Sequence, residues 1–552
     1  MKKSFIWDIT KHSVDFPEEI KKIFFNNLIK NRVSFCELIG KLSKKRTNNL
    51  DWWHTNLSSR NPYNSDLHKY ITILDTLDFL LKKGFNLKII VSSKIFYNLL
   101  KENEYKKKLF VELSKETRLN KKHNLTIVKS IFFHFFIFLY IKIFIKKDYF
   151  KLQNFKLTLI DTFLISSDIK KNYFYSPIQS KIDKKKTVFF VPTFIFKKNI
   201  FSIFSLIKKL NKKNYFFKEH FLSMNDILFA SLHFLRKKKI KEKHVNYNRW
   251  DITKLVNYEI QNNNNYFSSL SGILNYKFFY KIKSKKFKIK KTINWFENQI
   301  VDRGWNLGVN ETFPKADSIG YHGFANFSQY INSIPCNFEI QNKVLPKKIG
   351  VIGRAFKKSK REFSNKCKIE VAPALSQNYL FKYNNHKKIE NYVSLVLSGV
   401  KHIDKKLLDW SLNFLDEKKI TSLEIKDHPI QPIHNLGVSN YFKYKDRIIK
   451  SKNLVDTLSK SSIVIASGPT SAIFEALVSK CYLIIPLLDP CDKINLLNCK
   501  IPNNNYVIVK NFDQFCNILS QILDNKKVIK LKKINKNFFF EKLNKRNIKF
   551  FY

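Results

Sequence analysis

Residues Ile463–Pro486 read IVIASGPTSAIFEALVSKCYLIIP, and their pattern decides the class of fold. Ile463–Ile465 is a short β-branched apolar run, suited to a parallel strand buried on both faces. Ser467-Gly468-Pro469-Thr470-Ser471 is a turn whose small hydroxyl residues can cap a helix. Ala472 to Val478 is a helix-forming run with Glu475 inside it, and Tyr482–Ile485 is the next apolar strand, closed by Pro486. A loop at the carboxyl end of a parallel strand, feeding a helix, is a natural seat for phosphate. Thr470 and Ser471 offer hydroxyls, and Glu475, one turn further in, can take a ribose diol. Taken alone, the plainer reading is an ordinary βαβ unit with a Ser/Thr cap.

A second stretch changes that balance. Thr421–Asp427 (TSLEIKD) runs as a strand into His428-Pro429, and Pro429 fixes the backbone after the histidine. Lys426 and His428, two apart, point to one side of the sheet. The K-x-H-P strand end followed by an S-x-x-T-S-x-x-x-E-A-L loop and helix resembles the nucleotide-sugar half of GT-B glycosyltransferases. It is most similar to the bacterial group with an HP motif and a paired Ser/Thr motif. That group includes sialyl- and polysialyltransferases and CDP-glycerol glycerophosphotransferases, in which the His and the Ser/Thr hydroxyls hold the donor's phosphate. The resemblance implies donor-site roles for Lys426, His428, Ser467, Thr470, Ser471 and Glu475. It implies a nucleotide-sugar donor as substrate, CMP-linked sugars among the options, and no bound cofactor.

The block Asn294–Phe324 is the other concentration of chemistry. Glu297, Gln299, Asp302 and Arg303 crowd together near Trp295 and Trp305, and Gly320-Tyr321-His322-Gly323-Phe324 reads as a strand end with a histidine loop. Burying so many polar groups is costly unless each finds a partner, so a cleft is their expected home. Upstream, Trp52-Trp53 beside Arg60-Asn61-Pro62 reads either as a packing corner or as cleft; Trp53, Arg60, Gln299 and Arg303 are the acceptor-side candidates. "W-x-E-N-Q" with "G-Y-H-G-F", and the DWWHTNLSSRNPYNS, TLIDTFLISSD, VPTF and KEHFLSMND stretches, resemble bacterial surface-carbohydrate biosynthesis proteins of O-antigen loci. That likeness runs patchily from Asp51 to Ile485.

Length and alternation set the architecture. With 552 residues the chain suits more than one core. Strands alternating with helices predict an α/β, GT-B-like fold: two Rossmann-like domains facing an interdomain cleft. The expected parts are a basic leader at 1–50, an acceptor-side domain at 51–341, a nucleotide-sugar domain at 342–523 opening on Pro346–Arg354, and a Lys-rich helical tail at 524–552. Residues 236–265, polar and rich in Lys and Asn, read as loop.

The formal charge of +57 invites a nucleic-acid partner. The lysines are spread along the whole chain without clustered arginine, and Lys, Asn, Ile and Phe share A/T-rich codons, so none is expected. The remaining basic surface favours anionic lipids or substrates. Ile127–Ile145 is the most apolar stretch, interrupted by Lys129, His134 and Lys142; it is expected to be buried or to lie in a membrane interface. Seven scattered cysteines without a C-x-x-C pair point to a reducing cytoplasm and no structural zinc. The expected location is the cytoplasm, peripheral on the inner face of the cytoplasmic membrane.

No D-x-D pair stands out, so no divalent metal is expected; His, hydroxyl and N–H groups can stabilise a departing phosphate. An acceptor hydroxyl then needs a general base. Glu297 is the first candidate, with His322 and Asp302 as alternatives; equally, Glu297 can merely orient Arg303 and His322 can cap a turn. The expected activity is glycosyl transfer to a glycan or lipid-linked acceptor in surface-polysaccharide synthesis. A non-hydrolysing nucleotide-sugar epimerase and a non-catalytic protein of the same loci are the competing readings.

Overall fold

The computed structural model describes residues 4–102, 108–114, 121–165, 174–195, 200–382, 388–417, 422–429, 431–524 and 529–552. Among these, three parallel sheets carry the fold.

The first sheet has β1 (Ser4–Asp8), β2 (Asn86–Val91) and β3 (Leu109–Leu113), in that order. Helix α1 (Glu18–Lys44) packs on α2 (Leu67–Lys82) beside it. Ile20, Phe24, Phe35, Ile39 and Leu42 of α1 recur at helical spacing and are buried, with Trp7 of β1 fully enclosed. The expected leader is therefore part of the fold. Its many lysines hide an apolar stripe that only the helical period reveals.

The second sheet is the larger layer of the N-terminal half. Its strands are β4 (Lys156–Leu164), β5 (Val188–Phe194), β8 (Lys288–Trp295), β9 (Asp317–His322), β10 (Lys348–Val351) and β11 (Lys368–Val371), in the order β11-β10-β9-β8-β4-β5. The helices around it include α3 (Lys121–Phe144), α4 (Ile200–Asn211), α5 (Met224–Ser231), α6 (Tyr266–Ser284) and α7 (Ile300–Thr312). A short antiparallel pair, β6 (Asn246–Tyr247) and β7 (Trp250–Asp251), and a helix at Thr253–Gln261 replace the loop expected at 236–265. Trp250, Leu255 and Val256 there are buried. Those few apolar anchors outweigh the polar composition around them.

The third sheet is β12 (Ile389–Val396), β13 (Leu423–Lys426), β14 (Ile448–Lys450), β15 (Ser461–Ile465), β16 (Tyr482–Pro486) and β17 (Tyr506–Val509). Their order is β14-β13-β12-β15-β16-β17, all parallel. Helices α8 (Lys401–Glu417), α9 (Ala472–Val478) and α10 (Asp492–Asn498) belong to this half. The architecture is GT-B-like: two Rossmann-type sheets in separate halves of the chain.

Two boundaries differ from expectation. The second domain does not open at 342, because β10 pairs with β9 and β11 with β10. An apolar strand such as KIGV looks the same whether it ends one sheet or starts another; the crossover falls between Val371 and Ile389. Among the described residues, the tail at 524–552 is largely irregular, with short helices at Lys536–Phe539 and Asn547–Phe551. It returns to the second sheet: the Glu541 N–H donates to Ile352 O at 2.7 Å, and a Cβ on Gly350 would lie 2.5 Å from the Phe550 ring.

Candidate active site at two switch points

Neighbouring strands β12 and β15 are separated in sequence by two further strands of the sheet. From this pair the chain winds outward in opposite directions, which opens a crevice beyond their carboxyl ends where ligands of such sheets bind. Ser398-Gly399 follows β12, Ser467–Ser471 follows β15, and His428 follows β13. Gly399 has φ +87°, and a Cβ there would lie 2.6 Å from His428 Nδ1. Gly468 has φ +81°, and its Cβ would lie 3.3 Å from Ser398 Oγ. Asp404 fixes the central loop: it accepts from the Ser398 N–H and hydroxyl at 2.7 and 2.8 Å and from the Gly399 N–H at 2.8 Å. His428 and the Thr470 loop thus share one sheet edge, with Ser398-Gly399 between them. Burial, then Lys426, lowers the His428 pKa, which favours the neutral ring. Lys426 Nζ donates to Asp427 O at 2.7 Å, so its ammonium is held by its own neighbour.

The Ser/Thr loop divides its labour. Ser467 Oγ and the Gly468 N–H both donate to Asp492 Oδ2, at 2.8 and 3.1 Å, so Ser467 shapes the turn instead of facing a ligand. Thr470 is almost buried. Of the turn's hydroxyls, Thr470 Oγ1 accepts the Ala472 N–H at 3.4 Å, whereas Ser471 Oγ accepts the Ala325 N–H at 3.1 Å and keeps its own proton free to donate. Helix α9 has only seven residues, so its dipole adds little to any phosphate site. Glu475 is buried and accepts the Tyr379 hydroxyl, and burial raises its pKa. A ribose reaching Glu475 must displace or share that hydroxyl.

The second sheet has its own switch point, between β4 and β8. A cavity of about 300 Å³ lies there, lined by Phe163, Phe174, Trp295, Glu297, Gln299 and Asp302 among others. Glu297 accepts from Trp295 Nε1 at 3.0 Å and from Gln299 Nε2 at 3.4 Å, and Gln299 Oε1 accepts from Asn61 Nδ2 at 2.8 Å. Burial raises the Glu297 pKa, the direction that suits a general base near neutral pH. Asp302 Oδ2 accepts the N–H groups of Glu297 and Gln299 at 3.0 and 2.9 Å. Its Oδ1 has no partner among the described residues, and burial pushes the carboxyl well above its usual range.

Asp161 escaped the sequence reading. It sits on β4 with both oxygens unpartnered among the described residues, and burial pushes it up to about 7. A lone aspartate inside the apolar run LTLIDTFL was the available signal. Burial, then the nearby Asp161 charge, raises the Asp302 pKa, which favours Asp302 as a neutral acid.

Other expected residues lie elsewhere. His322 is fully buried; its Nδ1 is 2.8 Å from Phe296 O and its ring packs 4.0 Å from Phe324. Burial holds it neutral, and its Nε2 has no partner among the described residues. Arg60, Arg303 and Trp53 are also fully enclosed. Arg60 Nη2 donates to Glu339 Oε2 at 2.8 Å and Arg303 to Oε1 of the same carboxylate, while Trp53 Nε1 donates to Thr47 O at 3.0 Å. These residues form a packing corner, not the cleft: Arg60 also donates to Ile331 O, Asn332 O and Ile334 O, while Arg303 Nε and Nη1 stay without a partner among the described residues.

The carboxyl edges of the two large sheets meet. Besides the Ser471–Ala325 bond, the Ser328 N–H donates to Asn495 Oδ1 at 2.8 Å and Gln329 Nε2 to Asp492 Oδ1 at 3.3 Å. The combination offers hydroxyls and an imidazole on one side, and a carboxyl beside an aromatic-walled cavity on the other.

No model of a known protein family matches this sequence, and no curated protein matches it. Solved structures similar to the chain include the lipopolysaccharide outer core galactosyltransferase WaaB in its apo form, at 10% identity and a TM-score of 0.37 over 69% of this chain and 92% of that one. The UDP-GlcNAc 2-epimerase from Neisseria meningitidis bound to UDP-GlcNAc is 10% identical, with a TM-score of 0.37 over 69% of this chain and 96% of its own. Acinetobacter baumannii MurG is 8% identical, with a TM-score of 0.36 over 67% and 92%.

Proposed function

We propose that this chain is a glycosyltransferase that moves a sugar from a nucleotide-activated donor to a glycan or lipid-linked acceptor in bacterial surface-polysaccharide synthesis, without a divalent metal. One observation carries the reading: the second sheet has a cavity at its switch point, the third gathers His428, Ser398-Gly399 and the Thr470 loop along the edge at its own, and the two carboxyl edges touch through Ser471 and Ala325. A transfer between two bound substrates needs such facing sites, because the gain comes from holding both partners in line. His428 and the Thr470 and Ser471 hydroxyls stabilise the departing phosphate. Glu297 takes the proton of the acceptor hydroxyl as its oxygen bonds the anomeric carbon and the carbon–phosphate oxygen bond breaks. The surface-polysaccharide setting and the choice of CMP-linked donors rest on the motif resemblance.

The test is a thermal-shift screen with CMP, CDP, UMP, UDP and GDP, followed by nucleotide release from the matching sugar donor with and without glycan acceptors. Acceptor-dependent release is expected. A changed sugar nucleotide formed without acceptor would make the chain an epimerase, and no shift with any nucleotide would make it non-catalytic.

A further inference from the structure

Helix α3 is apolar on both faces. Ile127, Ile137, Phe138 and Ile141 are buried in the core, and His134 Nε2 is 2.9 Å from Ser271 Oγ. On the opposite face Leu125, Val128, Phe132, Phe136 and Ile143 recur three, four, four and seven residues apart and are 45–60% exposed. Those spacings fall on one line of the helix. To one side, Tyr140 stacks on Phe204 of α4 at 4.0 Å, and α4 presents Phe201 to solvent. About half a turn round from Tyr140, Phe138 packs in the cluster that holds Ile227 of α5, which presents Met224 and Leu228.

A line of large apolar side chains exposed along a helix, with further exposed apolar residues on the helices packed beside it, marks an interaction site. Lys129 on α3 and Lys146 just beyond its end are exposed. The chain's formal charge of +57 means that a second copy would bring like charge to the contact, whereas anionic lipid brings the opposite sign. Because the inner face of α3 is built into the core, the helix can lie on a membrane but cannot span one without leaving the fold.

We propose that this face docks on an anionic bilayer, with α3 in the interface plane and its outer phenylalanines among the acyl chains. Phe267 packs against Phe133 at 5.3 Å and His134 at 4.7 Å, and its neighbours Asn265 and Ser268 line the cavity that holds Glu297. Exposed Ile195 lines it too. Resting on the reading of that cavity as the acceptor subsite, the acceptor is a glycan carried on lipid at this surface.

The test is vesicle flotation of the full chain, with phosphatidylcholine alone and with added phosphatidylglycerol. Wild type should float with the anionic vesicles only. Phe132→Ser with Phe136→Ser should reduce recovery about tenfold or more at unchanged Tm. If that pair fails to fold, Lys129→Glu with Lys146→Glu should weaken flotation on its own. Gln299→Ala should float like wild type even where transfer is lost, so failure of docking and failure of the catalytic reading stay distinct. The proposal is overturned by flotation indifferent to both pairs, by no flotation at all, or by a wild-type dimer in light scattering that the phenylalanine pair dissociates. Protease protection of both ends of α3 in reconstituted vesicles would also overturn it, in favour of a spanning helix.

Discussion

Ser471 Oγ accepts the Ala325 N–H at 3.1 Å, and that bond joins the loop after β15 to the loop after β9. Ala325 is fully buried, so its N–H has no water to turn to. Ser471→Ala should therefore lower the unfolding free energy by about 1–3 kcal/mol, the cost of an orphaned buried donor. Ser471→Thr, which keeps the hydroxyl, should lose less. Denaturant unfolding of the three proteins is the check; equal midpoints for Ala and wild type would show that the contact is not made in solution.

Glu297→Gln should leave the fold intact, because the amide oxygen can still accept from Trp295 Nε1. A missing general base costs about 10²–10⁴ in turnover. The pH profile is the sharper readout. Burial raises the Glu297 pKa, so wild-type activity should rise with pH as the carboxyl ionises. The Gln variant should lack that rising limb, and a variant that keeps it assigns the base elsewhere, with Asp302 next in line.

Asp161 predicts a pH dependence of stability. Its folded pKa is raised to about 7 by burial, with Lys218 opposing the shift, against about 3.9 in the unfolded chain. The native state therefore holds the proton more tightly. Stability from this group is fully present below about pH 4 and is lost as pH rises to about 7. Asp161→Asn should gain on wild type between pH 5 and pH 8, on the order of those bounds, while Lys218 Nζ keeps Asn275 at 2.8 Å. Thermal midpoints that stay parallel across that range would rule the titration out.

How much of this was legible follows from what local pattern can encode. The loops after β13 and β15 were readable because a β-branched run, a Ser/Thr turn and a strand-ending proline are local signals. Their meeting across Gly399 was inferable only from the rule that successive parallel strands share an edge. Glu297, Gln299 and Asp302 were legible as a group because polar residues so dense need partners. Arg60 and Arg303 were misplaced for the same reason: the partner that buries them, Glu339, lies 279 residues beyond Arg60. Likewise, no local feature of KIGV tells β10 to extend the second sheet, since that choice is made by β9.

The last prediction uses the closeness of Gly399 and His428. Gly399 has φ +87°, and a Cβ built on it would lie 2.6 Å from Nδ1 and 2.8 Å from Cγ of His428. Gly399→Ala therefore carries two penalties: a left-handed backbone worth about 1–2 kcal/mol, and a clash that forces the imidazole away. His428→Ala alone removes a positioned donor to the phosphate, so turnover should fall about tenfold or more with Tm nearly unchanged. The displaced ring in Gly399→Ala should cost turnover to a similar degree, and its Tm should fall. In the double variant the clash has no partner, so only the backbone penalty remains. The two substitutions should then be non-additive in both measurements, with a coupling of about 0.5–3 kcal/mol in stability. Strictly additive effects would mean that the ring is not against Gly399 in solution, and the phosphate site would lose its histidine.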